Sequence, residues 1–154
     1  DTITYSAAIS ACGKGQRWDS ALHMFETLQR MLLEPTEVTY GSLISACAEG
    51  QQWAKAGEIL DSMLQRALRP NAIVCSSAIS SCEKAGRWEW SLELLAQMNR
   101  LETESVGMSF NAALSTCEKG MQWAWGLHLL AELQRNVVGP DVTSCNAAIS
   151  ACEK

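Results

Sequence analysis

Few side chains in this sequence could do covalent chemistry, and their spacing keeps them apart. The two histidines, His23 and His128, occupy the same place in a repeated pattern three units distant, so they cannot share one active site. The seven cysteines, at 12, 47, 75, 82, 117, 145 and 152, are an odd number with no Cys-x-x-Cys pair, which points to neither a disulfide framework nor a zinc knuckle. Five of them recur at a fixed interval, which would set them on neighbouring helices about 8–10 Å apart, beyond disulfide reach. Cys75 with Cys82, and Cys145 with Cys152, would stand roughly two helical turns apart, on the order of 10 Å. They read as small buried apolar residues of a protein kept in a reducing compartment. With no glycine-rich phosphate loop either, the sequence predicts no catalytic residue, no metal, no cofactor and no small-molecule substrate.

What remains is polar chemistry held in register. Lys14, Lys84, Lys119 and Lys154 recur at one place, where they would draw a line of positive charge suited to phosphates. Glu49 interrupts that line, and Glu83, Glu118 and Glu153 stand beside it. The alternative reading is a cation placed for its favourable interaction with a helix C-terminus. The formal net charge of −5 excludes a generally basic nucleic-acid coat but leaves room for one locally basic groove. A hydrophobic content of 47% is enough for a packed core. No run approaches the roughly 18 apolar residues of a membrane span, and Asp1 through Ser10 lack a basic start followed by an apolar run, so neither a membrane anchor nor a targeting segment is expected here.

The elements that position these residues repeat. Trp18, Trp53, Trp88 and Trp123 are 35 residues apart, and so are Cys12, Cys47, Cys82, Cys117 and Cys152. Ser10 and Ile9 recur at the same interval, and Ala7–Lys14 returns almost verbatim as Ala147–Lys154. Within each unit an Ala-, Ile- and Ser-rich stretch such as Thr4–Lys14 stops at a glycine, Gly15, Gly50 or Gly120, with Ala85-Gly86 in the third copy. The second stretch opens at the tryptophan, and Trp18, Ala21, Leu22, Phe25 and Leu28 follow the spacing of an amphipathic helix. Pro35, Pro70 and Pro140 then close the unit. Each unit is read as helix, tight turn, longer helix and loop. A hairpin this short cannot bury both helix faces alone, so copies must stack into an all-α solenoid. The tryptophans are most simply core wedges between repeats, with base stacking as the alternative; Trp90 and Trp125 fall on another face and have no account at this stage.

At Ile3-Thr-Tyr-Ser-Ala-Ala-Ile-Ser-Ala-Cys-Gly-Lys-Gly15, Val38-Thr-Tyr40 and Gly139-Pro-Asp141 the sequence resembles the pentatricopeptide repeat family along its whole length. The tetratricopeptide repeat, with 34 residues and an early aromatic in its first helix, fits less well. In this frame the chain is a single array with full repeats at 2–36, 37–71, 72–106 and 107–141 and a partial repeat at 142–154, and the natural protein is expected to be longer at both ends.

The resemblance implies a partner: single-stranded RNA, bound at about one base per repeat. It assigns base selection to the fifth and last residues of each repeat, giving Ser6 with Thr36, Gly41 with Asn71, Ser76 with Val106, and Asn111 with Asp141, and leaving Asn146 without its mate. An aspartate accepts from a ring N–H such as uracil N3, so Asn111 with Asp141 resembles a uracil reader, whereas Val106 cannot hydrogen-bond through its side chain. Ser105, where other repeats have proline, sets that repeat's closing turn apart. The second residues, Ile3, Val38, Ile73, Met108 and Thr143, resemble the positions that sandwich bases, with plain interface core as the alternative. The resemblance further implies a chloroplast or mitochondrial setting and a part in RNA processing, stability or translation. The competing reading is a scaffold that binds other proteins on the same surface.

Overall fold

The computed structural model describes residues 1–100, 106–135 and 139–153; Ser105 and Lys154 lie outside that set, as does the side chain of Val106. Among the described residues every regular element is a helix: α1 (Thr2–Lys14), α2 (Trp18–Arg30), α3 (Glu37–Glu49), α4 (Trp53–Gln65), α5 (Ala72–Lys84), α6 (Trp88–Arg100), α7 (Val106–Lys119), α8 (Trp123–Arg135) and α9 (Val142–Glu153). The expected longer second helix is corrected. α2 and α4 have 13 residues each, as α1 and α3 do. They stop well short of Pro35 and Pro70 because Leu32 and Ala67 take left-handed φ angles of 55° and 57°. The next amides, of Leu33 and Leu68, then bond back to the carbonyls of Leu28 and Met63, both at 3.2 Å.

The first helices end in the same way, one residue later than the glycine pattern suggested. Gly15 and Gly50 have φ of −83° and −79°, while Gln16, Gln51 and Met121 carry the left-handed turn. In every copy the following amide returns to a cysteine carbonyl: Arg17 to Cys12, Gln52 to Cys47, Arg87 to Cys82 and Gln122 to Cys117, at 2.8 to 2.9 Å. Only in the third repeat is the left-handed residue a glycine, Gly86 at φ 66°.

What Gly50 and Gly120 supply instead is closeness. A Cβ on Gly50 would overlap the Trp18 ring, and one on Gly120 would stand 2.9 Å from Cδ1 of Trp88. Trp18, Trp53 and Trp88 thus wedge against the next repeat, as expected, but at its edge: these three are half-buried and Trp123 is exposed, so they are not core. The core proper is the aliphatic register Ile9, Ile44, Ile79 and Leu114, fully buried, with Phe25 edge-on to Tyr40 at 5.3 Å.

α1, α3, α5, α7 and α9 touch in series, and each second helix touches its own first helix and the first helix of the next repeat. Among the described residues the backbones of the second helices stay apart, and α4 and α6 meet through side chains alone. Close first helices and separated second helices make a ribbon that curves toward the first-helix side, where one continuous surface is presented.

Candidate nucleic-acid interface

Apart from Val106, the residue that closes each unit is positioned by helix chemistry: it is the N-cap of the next first helix. Asp1 accepts from the Thr4 amide at 2.9 Å, Thr36 from Thr39 at 3.4 Å, Asn71 from Val74 at 3.0 Å, and Asp141 from Ser144 at 2.7 Å. These short polar side chains satisfy otherwise orphaned amides, and that fixes them at the groove edge. A valine side chain has no acceptor to offer, and the third repeat's last residue, Val106, is the first residue of α7. Three residues on, the buried Ser109 hydroxyl has no hydrogen-bond partner.

The fifth residue of the preceding repeat meets this cap through the third residue of the following one. Asn111 donates to Asp141 Oδ2 at 3.1 Å, and the Ser144 hydroxyl is shared between Asn111 Oδ1 at 2.6 Å and Asp141 Oδ1 at 2.7 Å. The Ser144 hydroxyl and amide, with the Asn111 amide, hold the Asp141 carboxyl below the usual carboxylate range, so it stays an acceptor at neutral pH. Ser6 and Thr36 meet through Thr39, at 2.7 and 3.1 Å. Here the fifth residue is buried and its hydroxyl also bonds the Thr2 carbonyl, so Thr36 alone of the pair is exposed. Gly41 lies beside Val74, 3.1 Å from where its Cβ would be, and Asn71 is exposed. Ser76 donates to the Ile73 carbonyl at 3.2 Å, and Asn146 is exposed on α9.

The sequence pattern alone did not single out the bridging residues Thr39 and Ser144, nor Thr4 and Ser109 at the same place in their repeats. Their signal was available: a hydroxyl every 35 residues, broken only by Val74.

The second residues stand outside the core. Ile3, Val38, Ile73 and Met108 are 57% to 79% exposed, and Thr143 is exposed as well, which removes the interface-core alternative. A groove of about 420 Å³ is lined by Ile3, Ser6, Thr36 and Val38. An adjoining groove of about 560 Å³ is lined by Val38, Gly41, Asn71, Ile73 and Lys14. Val38 belongs to both, so apolar and polar candidates alternate along one strip.

The lysines divide. Lys84 pairs with Glu49 at 3.3 Å and Lys119 with Glu83 at 2.6 Å, each across a repeat boundary, and Glu83 raises the Lys119 pKa. Lys14 has no acidic partner among the described residues. Lys154 lies outside them. Ser115 and Ser150 donate to Glu83 and Glu118, at 3.0 and 2.6 Å. The carboxylates therefore stitch repeats together and neutralise two of the expected phosphate ligands. His23 and His128 are both exposed, on α2 and α8.

A model of the PPR repeat family matches residues 1–49, and one of the single PPR repeat matches 38–68 and 73–102. The chain belongs to the pentatricopeptide repeat family. Among solved structures, this pentatricopeptide repeat chain is similar to the pentatricopeptide repeat protein PPR10 from maize, at 22% identity and a TM-score of 0.85, over 99% of this chain and 23% of that one. PPR10 in complex with an 18-nt psaJ RNA element matches at 23% identity and a TM-score of 0.84, over 99% of this chain and 22% of that one. The PPR domain of Arabidopsis thaliana protein-only RNase P 1, in complex with tRNA, matches at 14% and 0.78, over 96% of this chain and 78% of that domain. At these identities the likeness is one of fold, and the pentatricopeptide repeats described here span less than a quarter of the PPR10 chain. No curated protein matches the sequence.

Proposed function

We propose that this chain binds single-stranded RNA along the first-helix groove, at about one base per repeat. The observation that carries the reading is the exposed apolar row Ile3, Val38, Ile73 and Met108, set one repeat apart and alternating with polar pairs. Isolated apolar side chains at a fixed interval offer nothing to a continuous protein surface, but they suit flat bases inserted between them. Lys14, Lys84, Lys119 and Lys154 serve phosphates where they are not paired, and Asn111 with Asp141 reads uracil through the ionised carboxylate. PPR10 and the RNase P domain, both solved with RNA, support the class. The repeat frame 2–36, 37–71, 72–106 and 107–141 sets the base register. The family supports binding in place of catalysis, and an organellar role in RNA processing, stability or translation.

The neutralised lysines favour a second reading, a protein-binding scaffold on the same groove. Fluorescence anisotropy with pooled single-stranded RNA, duplex DNA as competitor and salt varied separates them. Saturable binding that survives the competitor and falls with salt is expected. Val38→Ser with Ile73→Ser should weaken it by at least about tenfold, since stacking is worth roughly 1–3 kcal/mol per base. A folded array that binds no RNA overturns the RNA reading and leaves the scaffold.

A further inference from the structure

One departure from the repeat lies on the other face, between the second helices α4 and α6. The fifth residue of the second helix is leucine in three copies, Leu22, Leu92 and Leu127, and glycine in one, Gly57. A Cβ at Gly57 would meet nothing within 4 Å. Where Leu22 and Leu92 pack against the core, this copy has no side chain, and two cavities, of about 190 and 310 Å³, share Gly57, Asp61, Trp90 and Leu94. Glycine inside a helix is unfavourable, so the opening is kept against local preference.

The walls have one chemistry. Trp90 tilts against Trp53 with ring centroids 5.6 Å apart, and its own ring is 44% exposed. The Arg87 guanidinium lies over the Trp53 ring, 5.3 Å from its centroid, so the protein already holds one cation on this aromatic pair. Three carboxylates face the cavities: Asp61 in both, Glu58 in the smaller and Glu93 in the larger. Glu58 is bound by Lys55 at 2.8 Å, and Asp61 accepts only a long 3.4 Å bond from Gln97. Arg100 is the one cation among the described residues of the lining. Tryptophan beside aspartate at this place is peculiar to the second and third repeats, since the residues equivalent to Asp61 are Glu26, Ala96 and Ala131, and those equivalent to Trp90 are Ser20, Lys55 and Trp125.

We propose that this cavity is a docking site for an arginine or lysine side chain carried by a basic segment of a partner protein, its cationic head over Trp90 and paired with Asp61. Charge complementarity selects the occupant. An aromatic wall alone would also stack a base, but Asp61 and Glu93, which form no ion pair among the described residues, favour a cation there over a phosphate. The site lies apart from the first-helix groove, so a protein could be recruited while that groove is filled.

The test uses the whole chain and a fluorescent arginine–glycine peptide, with a glutamate–glycine peptide of equal length as control. Gly57→Leu restores the leucine of the other repeats and fills the cavity, and Asp61→Asn removes its charge. Saturable binding of the arginine peptide is expected, weakened about tenfold or more by either variant. Circular dichroism verifies that both variants fold, and binding of single-stranded RNA should be unchanged in both. Equal peptide affinity in wild type and both folded variants overturns the proposal as general attraction to an acidic protein. Weaker RNA binding in Gly57→Leu overturns it in favour of a base in the cavity. If the first-helix groove fails to bind RNA at all, the peptide result still stands or falls by itself.

Discussion

Trp88 lies so close to Gly120 of the following repeat that a methyl group there would stand 2.9 Å from its Cδ1. The same relation joins Trp18 to Gly50, and in both cases a side chain from one second helix is seated on the closing glycine of the next first helix. At these two junctions repeat spacing is therefore set by an aromatic and an absent side chain, at half-exposed positions, whereas the junction after Trp53 has Ala85 in the glycine's place.

Two substitutions test that contact. Gly120→Ala should destabilise the array by about 1–3 kcal/mol through overpacking, although its backbone could accept alanine elsewhere in a helix. Trp88→Ala should cost less than the roughly 3–5 kcal/mol of a fully buried tryptophan, about 1–3 kcal/mol, because the ring is half-exposed. Urea melts of the single and double variants should show the double loss smaller than the sum, since the cavity made by one relieves the clash made by the other. Strict additivity would mean the two residues do not share a contact.

The N-cap row makes a second prediction at its gap. Val106→Asp should cap α7 as Asp141 caps α9 and give the Ser109 hydroxyl an acceptor. A gain of about 0.5–2 kcal/mol is expected by thermal unfolding, together with a new base preference at the RNA position next to the one proposed for Asn111 and Asp141. A stability gain with an unchanged base profile would separate the capping role from the reading role.

Burial pushes the Cys47, Cys75, Cys82 and Cys117 thiols up to about 11. In the unfolded chain they would ionise near the ordinary value of 9.0, so between those two pH values the folded state holds protons the unfolded state has lost. Their contribution is complete below pH 9 and declines as pH rises toward 11. Thermal unfolding should show this decline, and Cys47→Ala, though less stable overall, should flatten it. At pH 8 a thiol reagent should label the exposed Cys152 first and the four buried thiols only on unfolding.

The all-α stack was legible because it rests on periodicity: a tryptophan, a cysteine and an isoleucine in one register leave little choice of architecture. Helix starts at Trp18, Trp53, Trp88 and Trp123 followed directly. Helix ends did not, because Gln16, Gln51, Leu32 and Ala67 take left-handed turns that their residue types do not announce. The row Ile3 to Met108 shares one register in the sequence, but only the fold could show that α1, α3, α5 and α7 leave it outside the core. Hydroxyl bridges such as Ser144 were overlooked because serine on a helix is too common a residue to signal a contact 33 positions away. The cavity at Gly57 is the reverse case: the missing leucine is plain in the sequence, yet its meaning depends on Trp90 arriving from the next repeat.

The lysine row carries the last prediction. Lys84 and Lys119 are held by Glu49 and Glu83, whereas Lys14 is not. In single-stranded nucleic acid each phosphate neutralised adds about 0.7 to the slope of log affinity against log salt. Lys14→Ala should therefore lower the RNA slope by about that amount, while Lys84→Ala, whose charge is already spent on Glu49, should change it by much less. Glu49→Gln should do the opposite: by freeing Lys84 it should strengthen RNA binding at low salt and add about 0.7 to the slope. Its stability cost should stay below about 1 kcal/mol, the worth of an exposed ion pair. Equal losses from Lys14→Ala and Lys84→Ala would show that RNA pulls Lys84 from its carboxylate on binding, and the ion pairs would then be a barrier that RNA must open at each repeat junction.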